Sequence, residues 1–427
     1  MTFYAGFAEI DITPPKFPVR TYFSSADSPL DPLFAHAVVF RHGETVLAFL
    51  SLDVVIVERE YVEKIRTMLA RQRPEAAVNL MISATHNHAC PAVVDRPGSD
   101  KDNVYLDFMM ARGVESVIRA YDGMVPAEIG SGSGYENRIS FNRRYIRKNG
   151  TVISEPEMDT LTNDLLYNEG IIDPAVGVLA VRNLQHRPLG LLVNFSCHAV
   201  HHMGEISGGY PGVLCRKLKE AYGSDCVTVF INGACGNVIH RNWADPNQHD
   251  TMETTGSVLA EDVKLIVGKL KYSSDISLAA KEVIIPVKYR EISGLEANID
   301  CLEHFNVMEK LIHKGWYKYS LEKLKTMHAV ADHEEAEIQV FRIGDVFIGS
   351  VPAEYFAQNA LRIKELSPAT TWVASLTNGW LGYIPHPAAF DRIGGHESTW
   401  AIWSKMAPEA GEQLGNKIIE LIKELHS

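Results

Sequence analysis

At 427 residues and 46% hydrophobic, the chain can bury a large core, as one big domain or two closely packed ones. Its formal charge of −12, with no basic run, argues against nucleic acid as a partner, because phosphate binding needs a concentrated Lys/Arg face. No segment approaches about 18 uninterrupted apolar residues, and Met1-Thr2-Phe3-Tyr4-Ala5-Gly6 offers neither a basic start nor an apolar run, so the sequence predicts a cytoplasmic protein with no membrane span.

Residues 3–12 alternate as a first strand, which Thr13-Pro14-Pro15 ends. Residues 34–40 and 45–55 read as a hairpin turning at Arg41-His42-Gly43-Glu44, with Asp53 near its end. Helical spacing from 59 to 72 places Tyr61, Val62, Ile65, Met68 and Leu69 on one face and stops before Pro74. Residues 79–84 form a short buried strand, 104–121 a helix, and 127–140 an extended, glycine-rich segment. The stretch 143–173 has few apolar residues in register and is expected to be a partly extended loop near the pocket. A second hairpin joins 176–182 to 189–195. A helix at 213–221 and a buried strand at 227–231 follow. Next stands Asn232-Gly233-Ala234-Cys235-Gly236-Asn237, a glycine-rich turn whose amides could face a ligand. A helix at 254–270 leads to a soft internal boundary near 274. Beyond it come strand material at 276–289, a charged helix at 294–330, a third hairpin (337–343 with 346–351), a strand at 371–376, and a mostly helical end at 400–425. There is no internal repeat. The fold class is α/β, with mixed sheets and hairpins flanked by helices.

Two histidine clusters stand where strands end. The first is Thr85-His86-Asn87-His88 and the second is Cys197-His198-Ala199-Val200-His201-His202. Strand ends are where α/β proteins usually place ligands, and zinc prefers neutral imidazole with carboxylate or thiolate partners, so distant segments converging on one ion fit the pattern. Six cysteines (Cys90, Cys197, Cys215, Cys226, Cys235 and Cys301) include no Cys-x-x-Cys pair and read as small buried apolar residues. Cys90 and Cys197 adjoin the histidines, so one of them could line the pocket.

In order along the chain, the stretches Ala8-Glu9-Ile10-Asp11-Ile12-Thr13-Pro14, Asp31-Pro32-Leu33-Phe34-Ala35, Ser83-Ala84-Thr85-His86-Asn87-His88, Phe141-Asn142-Arg143, Tyr210-Pro211-Gly212, Val351-Pro352-Ala353-Glu354 and Gly382-Tyr383 resemble the catalytic region of the neutral/alkaline non-lysosomal ceramidase family. The resemblance covers nearly the whole chain. It implies one Zn2+ per chain, held by His86, His198, Glu354 and Tyr383, with His88 and Arg143 beside the scissile amide. Read from the residues alone, Glu354 is a carboxylate at a helix start and Tyr383 an aromatic core residue. A fixed cation and an imidazole would suit the tetrahedral anion formed when water attacks a carbonyl.

The family places a functional serine after the glycine-rich turn, where this chain has Ile239 in Gly236-Asn237-Val238-Ile239-His240. With no further carboxyl-terminal β domain expected, a ceramidase-like domain over residues 1–427 acting on something other than a long-chain lipid is the resulting expectation. Asn237, His201 and His240 are the candidate substrate-binding groups. The expected function is a zinc-dependent hydrolase cleaving an amide, ester or lactone of a small polar metabolite by metal-activated water. A metal-dependent lyase or isomerase on a sugar-like substrate and an inactive metal- or ligand-binding protein stay open. The partner is expected to be a small molecule, and a homo-oligomer is compatible with the sequence.

Overall fold

The computed structural model describes residues 2–21, 24–96, 99–156, 164–245, 247–248, 250–292 and 314–427. Two main sheets organise the chain. The first has eight strands in the order Val227–Asn232, Pro188–Phe195, Ala175–Asn183, Val125–Tyr135, Phe3–Asp11, Phe34–His42, Thr45–Leu52, Leu80–Ala84. The second has four, in the order Leu278–Lys288, His333–Ile343, Val346–Val351, Thr370–Ser375. The change of texture near 274 falls where the chain leaves the first sheet for the second.

Within these two sheets neighbouring strands pair antiparallel except at three places: Thr45–Leu52 with Leu80–Ala84, Pro188–Phe195 with Val227–Asn232, and Val346–Val351 with Thr370–Ser375. A parallel pair needs a crossover, and each of these has a helix: Arg59–Ala70, Gly209–Tyr222 and Ala357–Leu366. The expected hairpins and the first two crossover helices are present. The third helix falls in a stretch the sequence reading leaves unassigned, because its buried face is only Ala357, Asn359, Ala360 and Ile363, too small and polar to give a clear period.

The central strands are buried on both faces, which gives four layers. Alternate residues of one strand separate cleanly: Ala37, Val39, Ala48 and Leu50 pack under Tyr61, Ile65, Met109 and Val117 of the outer helices. Val38, Phe40, Leu47 and Phe49 turn inward to meet Phe341, Ile343, Ile348 and Trp372 of the second sheet. Phe49 sits edge-on to Phe40 and Phe341 at 6.5 and 5.2 Å, contacts that contribute about 0.5–1.5 kcal/mol each beyond burial. Gly177 lets the sheets approach, since a Cβ there would lie 2.4 Å from the Trp372 ring. Leu414, Ile418 and Ile422 of the helix Ala410–His426 cover the outer face of the second sheet.

Three expectations are amended. The segment 143–173 is not a loop throughout: Val152–Ser154, Arg144–Arg147 and Leu165–Asn168 form a small sheet, ordered around buried arginines that composition alone would place in solvent. The helix expected from 400 begins only at Ala410, because residues 400–409 run irregularly past the cavity and Pro408 fits only the start of a helix. Of the helix expected at 294–330, Lys314–Val330 is observed, and the rest lies outside the described residues. No described helix is long and apolar enough to cross a membrane.

Candidate metal centre and cavity

Each parallel pair aims its carboxyl end at one place. Leu80–Ala84 runs into His86, Pro188–Phe195 into His198, and Val346–Val351 into Glu354, while Tyr383 follows Thr370–Ser375 and pairs with Glu354. The centre therefore takes two residues from each sheet, in the crevice beyond the strand ends that such folds use for ligands.

His86 is held with a left-handed backbone, φ 62°, an arrangement that costs free energy and persists only where the surroundings enforce it. Asn232 helps to enforce it. Its buried Nδ2 donates to Thr85 O at 3.1 Å and to Cys197 O at 3.0 Å, tying together the backbones just before both histidines.

The ring geometry is specific. His86 Nδ1 donates to Val55 O at 2.7 Å and His198 Nδ1 to Cys235 O at 2.9 Å. With Nδ1 committed to a carbonyl, each ring turns its Nε2 toward the other. Those two Nε2 atoms stand 2.7 Å apart, and Glu354 Oε2 lies 3.3 and 3.6 Å from them with no hydrogen-bond partner of its own. Two Nε2 atoms and a carboxylate oxygen crowded this closely call for positive charge between them, which a metal ion supplies. Carbonyl-anchored imidazoles with a carboxylate form a donor set that fits zinc.

Burial, and after it the neighbouring positive groups, holds His198 and His88 well below the usual histidine range, which keeps both neutral. Burial would raise the Glu354 carboxyl, but His86, Tyr383 and Arg143 together outweigh it and hold the group below its ordinary value. Cys235 Sγ also lies in the histidine cluster. Burial pushes that thiol well above its ordinary value.

His88 Nε2 is 3.2 Å from His86 Nε2. Arg143, fully enclosed, donates from NH2 to Tyr383 OH at 3.1 Å and to Gly236 O at 2.8 Å, and from NH1 to Glu155 at 2.7 Å. Its Nε faces Glu397 Oε1 at 2.8 Å, and the other carboxylate oxygen takes Arg144 at 2.8 Å. Gly236 is required there, because a Cβ would meet Glu354 O at 2.4 Å. The amides of the glycine-rich turn are spent on the protein, with Gly233 N donating to Phe195 O and Gly236 N to Tyr355 O, rather than aimed at a ligand.

His86, His88, Arg143, His198, Glu354 and Tyr383 all line one cavity of about 800 Å³. The rest of its lining combines apolar side chains such as Met203, Trp316 and Trp403 with charged ones such as Arg59, Asp95 and Lys405. The three candidate substrate-binding residues do not reach it. Asn237 is buried, accepting from Ala357 N at 2.9 Å and donating to Gln358 at 2.8 Å, so it secures the helix behind Glu354. His201 and His240 pair instead with Asp250. Ile239 is also buried, in a short ladder with Phe141. Cys90 and Cys197 do not line the cavity, and burial pushes Cys90 up to about 12, against a thiolate role.

Sequence reasoning missed Trp380, His396, Glu397 and Glu155. Trp380 Nε1 donates to Glu354 Oε1 at 3.1 Å, and His396 Nε2 lies 3.3 Å from Arg143. No local signal marked them, because the polar stretch after Arg143-Arg144 reads as solvent-exposed.

No family model matches the chain, and no curated protein matches it in sequence. Solved structures do match. The neutral ceramidase from Pseudomonas aeruginosa superposes with a TM-score of 0.75 at 16% identity, over 100% of this chain and 74% of that one. A ceramidase complexed with C2 gives a TM-score of 0.75 at 15% identity, over 100% of this chain and 75% of that one. The chain has the neutral ceramidase fold.

Proposed function

We propose that the protein is a zinc-dependent hydrolase that cleaves an amide, ester or lactone, with His86, His198, Glu354 and Tyr383 holding the ion. The observation that carries this is the convergence of two Nε2 atoms and an unpartnered carboxylate oxygen at the floor of the cavity. Bound there, zinc polarises a carbonyl and lowers the pKa of water from about 15.7 to about 7. The structural neighbours named as ceramidases support amide cleavage as the first chemistry to test.

The chain's own groups have separable tasks. His88, kept neutral by burial, can accept a proton from the attacking water and return it to the leaving group. Arg143 fixes the Tyr383 hydroxyl and supplies a positive field beside the scissile carbonyl, where anionic charge grows during attack. Glu397 and Glu155 keep that guanidinium from swinging. The cavity lining mixes Trp380, Trp403 and Met203 with charged groups such as Arg59, Asp95 and Lys405, which suits a small polar substrate that also carries an apolar part.

The test is turnover of an N-acyl amide, ester and lactone panel by zinc-loaded protein, with products weighed by mass spectrometry. Gain of the elements of water, abolished in His198→Ala, is the expected result. Turnover that survives complete chelation, or product of unchanged mass, would overturn the reading.

A further inference from the structure

A second cluster of metal-ligating side chains lies outside the cavity. His201 and His240 are 7% and 5% exposed, and their rings stack with centroids 3.5 Å apart and planes 19° from parallel. Both turn an edge to the same atom: Asp250 Oδ1 is 3.3 Å from His201 Nε2 and 2.5 Å from His240 Nδ1. The far nitrogens, His201 Nδ1 and His240 Nε2, are buried and have no hydrogen-bond partner.

When a cation enters, each ring carries its one proton on that far nitrogen, His201 Nδ1 or His240 Nε2, and turns the lone pair of His201 Nε2 or His240 Nδ1 to the ion beside Asp250 Oδ1. Two neutral imidazoles and a carboxylate carry one negative charge and offer three donors within 4.8 Å of one another. That is the ligand set of borderline divalent metals rather than of calcium or magnesium, which favour oxygen.

We propose that His201, His240 and Asp250 form a second divalent-metal site, selective for zinc-like ions and separate from the cavity centre. Its elements suit a structural role. His201 follows the His198 segment, His240 follows the glycine-rich turn, and Asp250 immediately precedes Thr251, which caps the helix Met252–Val267. An ion would lock these three connections together.

The experiment is metal stoichiometry on the full chain, loaded with zinc, desalted and measured by plasma mass spectrometry. Wild type, His198→Ala, His240→Ala and Asp250→Asn are compared, with circular dichroism to confirm folding. The expected result is two equivalents in wild type and one in each variant. A cobalt-loaded set should lose different absorption bands in His198→Ala than in His240→Ala. If one equivalent is found and is lost in His240→Ala but kept in His198→Ala, the second site stands and the cavity reading fails. If wild type holds a single equivalent that persists in both His240→Ala and Asp250→Asn, the second site is overturned. Asp250→Asn covers the case in which His240→Ala does not fold.

Discussion

Trp380 Nε1 donates to Glu354 Oε1 at 3.1 Å and so leaves Oε2 as the oxygen that faces His86 and His198. Groups that orient a ligand in this way usually matter nearly as much as the ligand. Trp380→Phe keeps the ring and removes the donor. It should weaken zinc affinity by about 10–100-fold with little change in thermal midpoint. Competition against a fluorescent chelator measures this, and an unchanged affinity would mean that Glu354 is not held by Trp380.

Glu397 is fully enclosed between two arginines. Arg143→Gln leaves it with Arg144, Ser154 and the more distant His396 and should destabilise the fold by about 3 kcal/mol, the low end for breaking a buried pair. Pairing it with Glu397→Gln should recover part of that loss, because the stranded charge is gone. Urea unfolding of the two single variants and the double closes the cycle; strictly additive effects would show that the two groups do not interact.

Asn232 Nδ2 bridges Thr85 O and Cys197 O. Asn232→Ala should cost about 1–3 kcal/mol, since two buried carbonyls lose their donor. It should also loosen the spacing of His86 and His198 and so reduce bound zinc. A variant that loses stability but keeps full metal affinity would confine Asn232 to a scaffold role.

Burial pushes Asp53 up to about 7 from 3.8, against the Phe34 amide that donates to it at 2.8 Å. The folded protein thus holds a proton that the unfolded chain has released between those values. Stability from this group is present below 3.8 and is lost as pH rises through 7, about 4 kcal/mol in all. Asp53→Asn keeps an acceptor for the amide and should flatten the decline. Urea midpoints from pH 5 to 8 would show it, and parallel curves for the two proteins would remove Asp53 as the cause.

Much of the fold was legible because strands buried on both faces give continuous apolar runs, and turns such as His42-Gly43-Glu44 punctuate them. His86 and His198 were legible as polar residues directly beyond such runs. Glu354 and Tyr383 read locally as a helix start and a core aromatic, and only the family resemblance marked them. His396, Glu397 and Trp380 come from irregular segments without a period, and the docking of the two sheets fixes their positions. Asn237 was misread for a related reason. An asparagine after a glycine turn can face a ligand or a backbone amide, and here Ala357 N takes its oxygen.

The division of the donors between the sheets has a consequence for the life of the protein. His86 and His198 belong to one sheet, Glu354 and Tyr383 to the other, so neither half owns a complete coordination set. On the proposed ligand set, holding the ion would require both sheets to be docked, and a thousandfold excess of free ion over its dissociation constant would add about 4 kcal/mol to the seam between them. Under metal starvation the seam should open before either core does. Protease cleavage between the two halves, suppressed by zinc, would turn a catalytic ion into a gauge of protein quality.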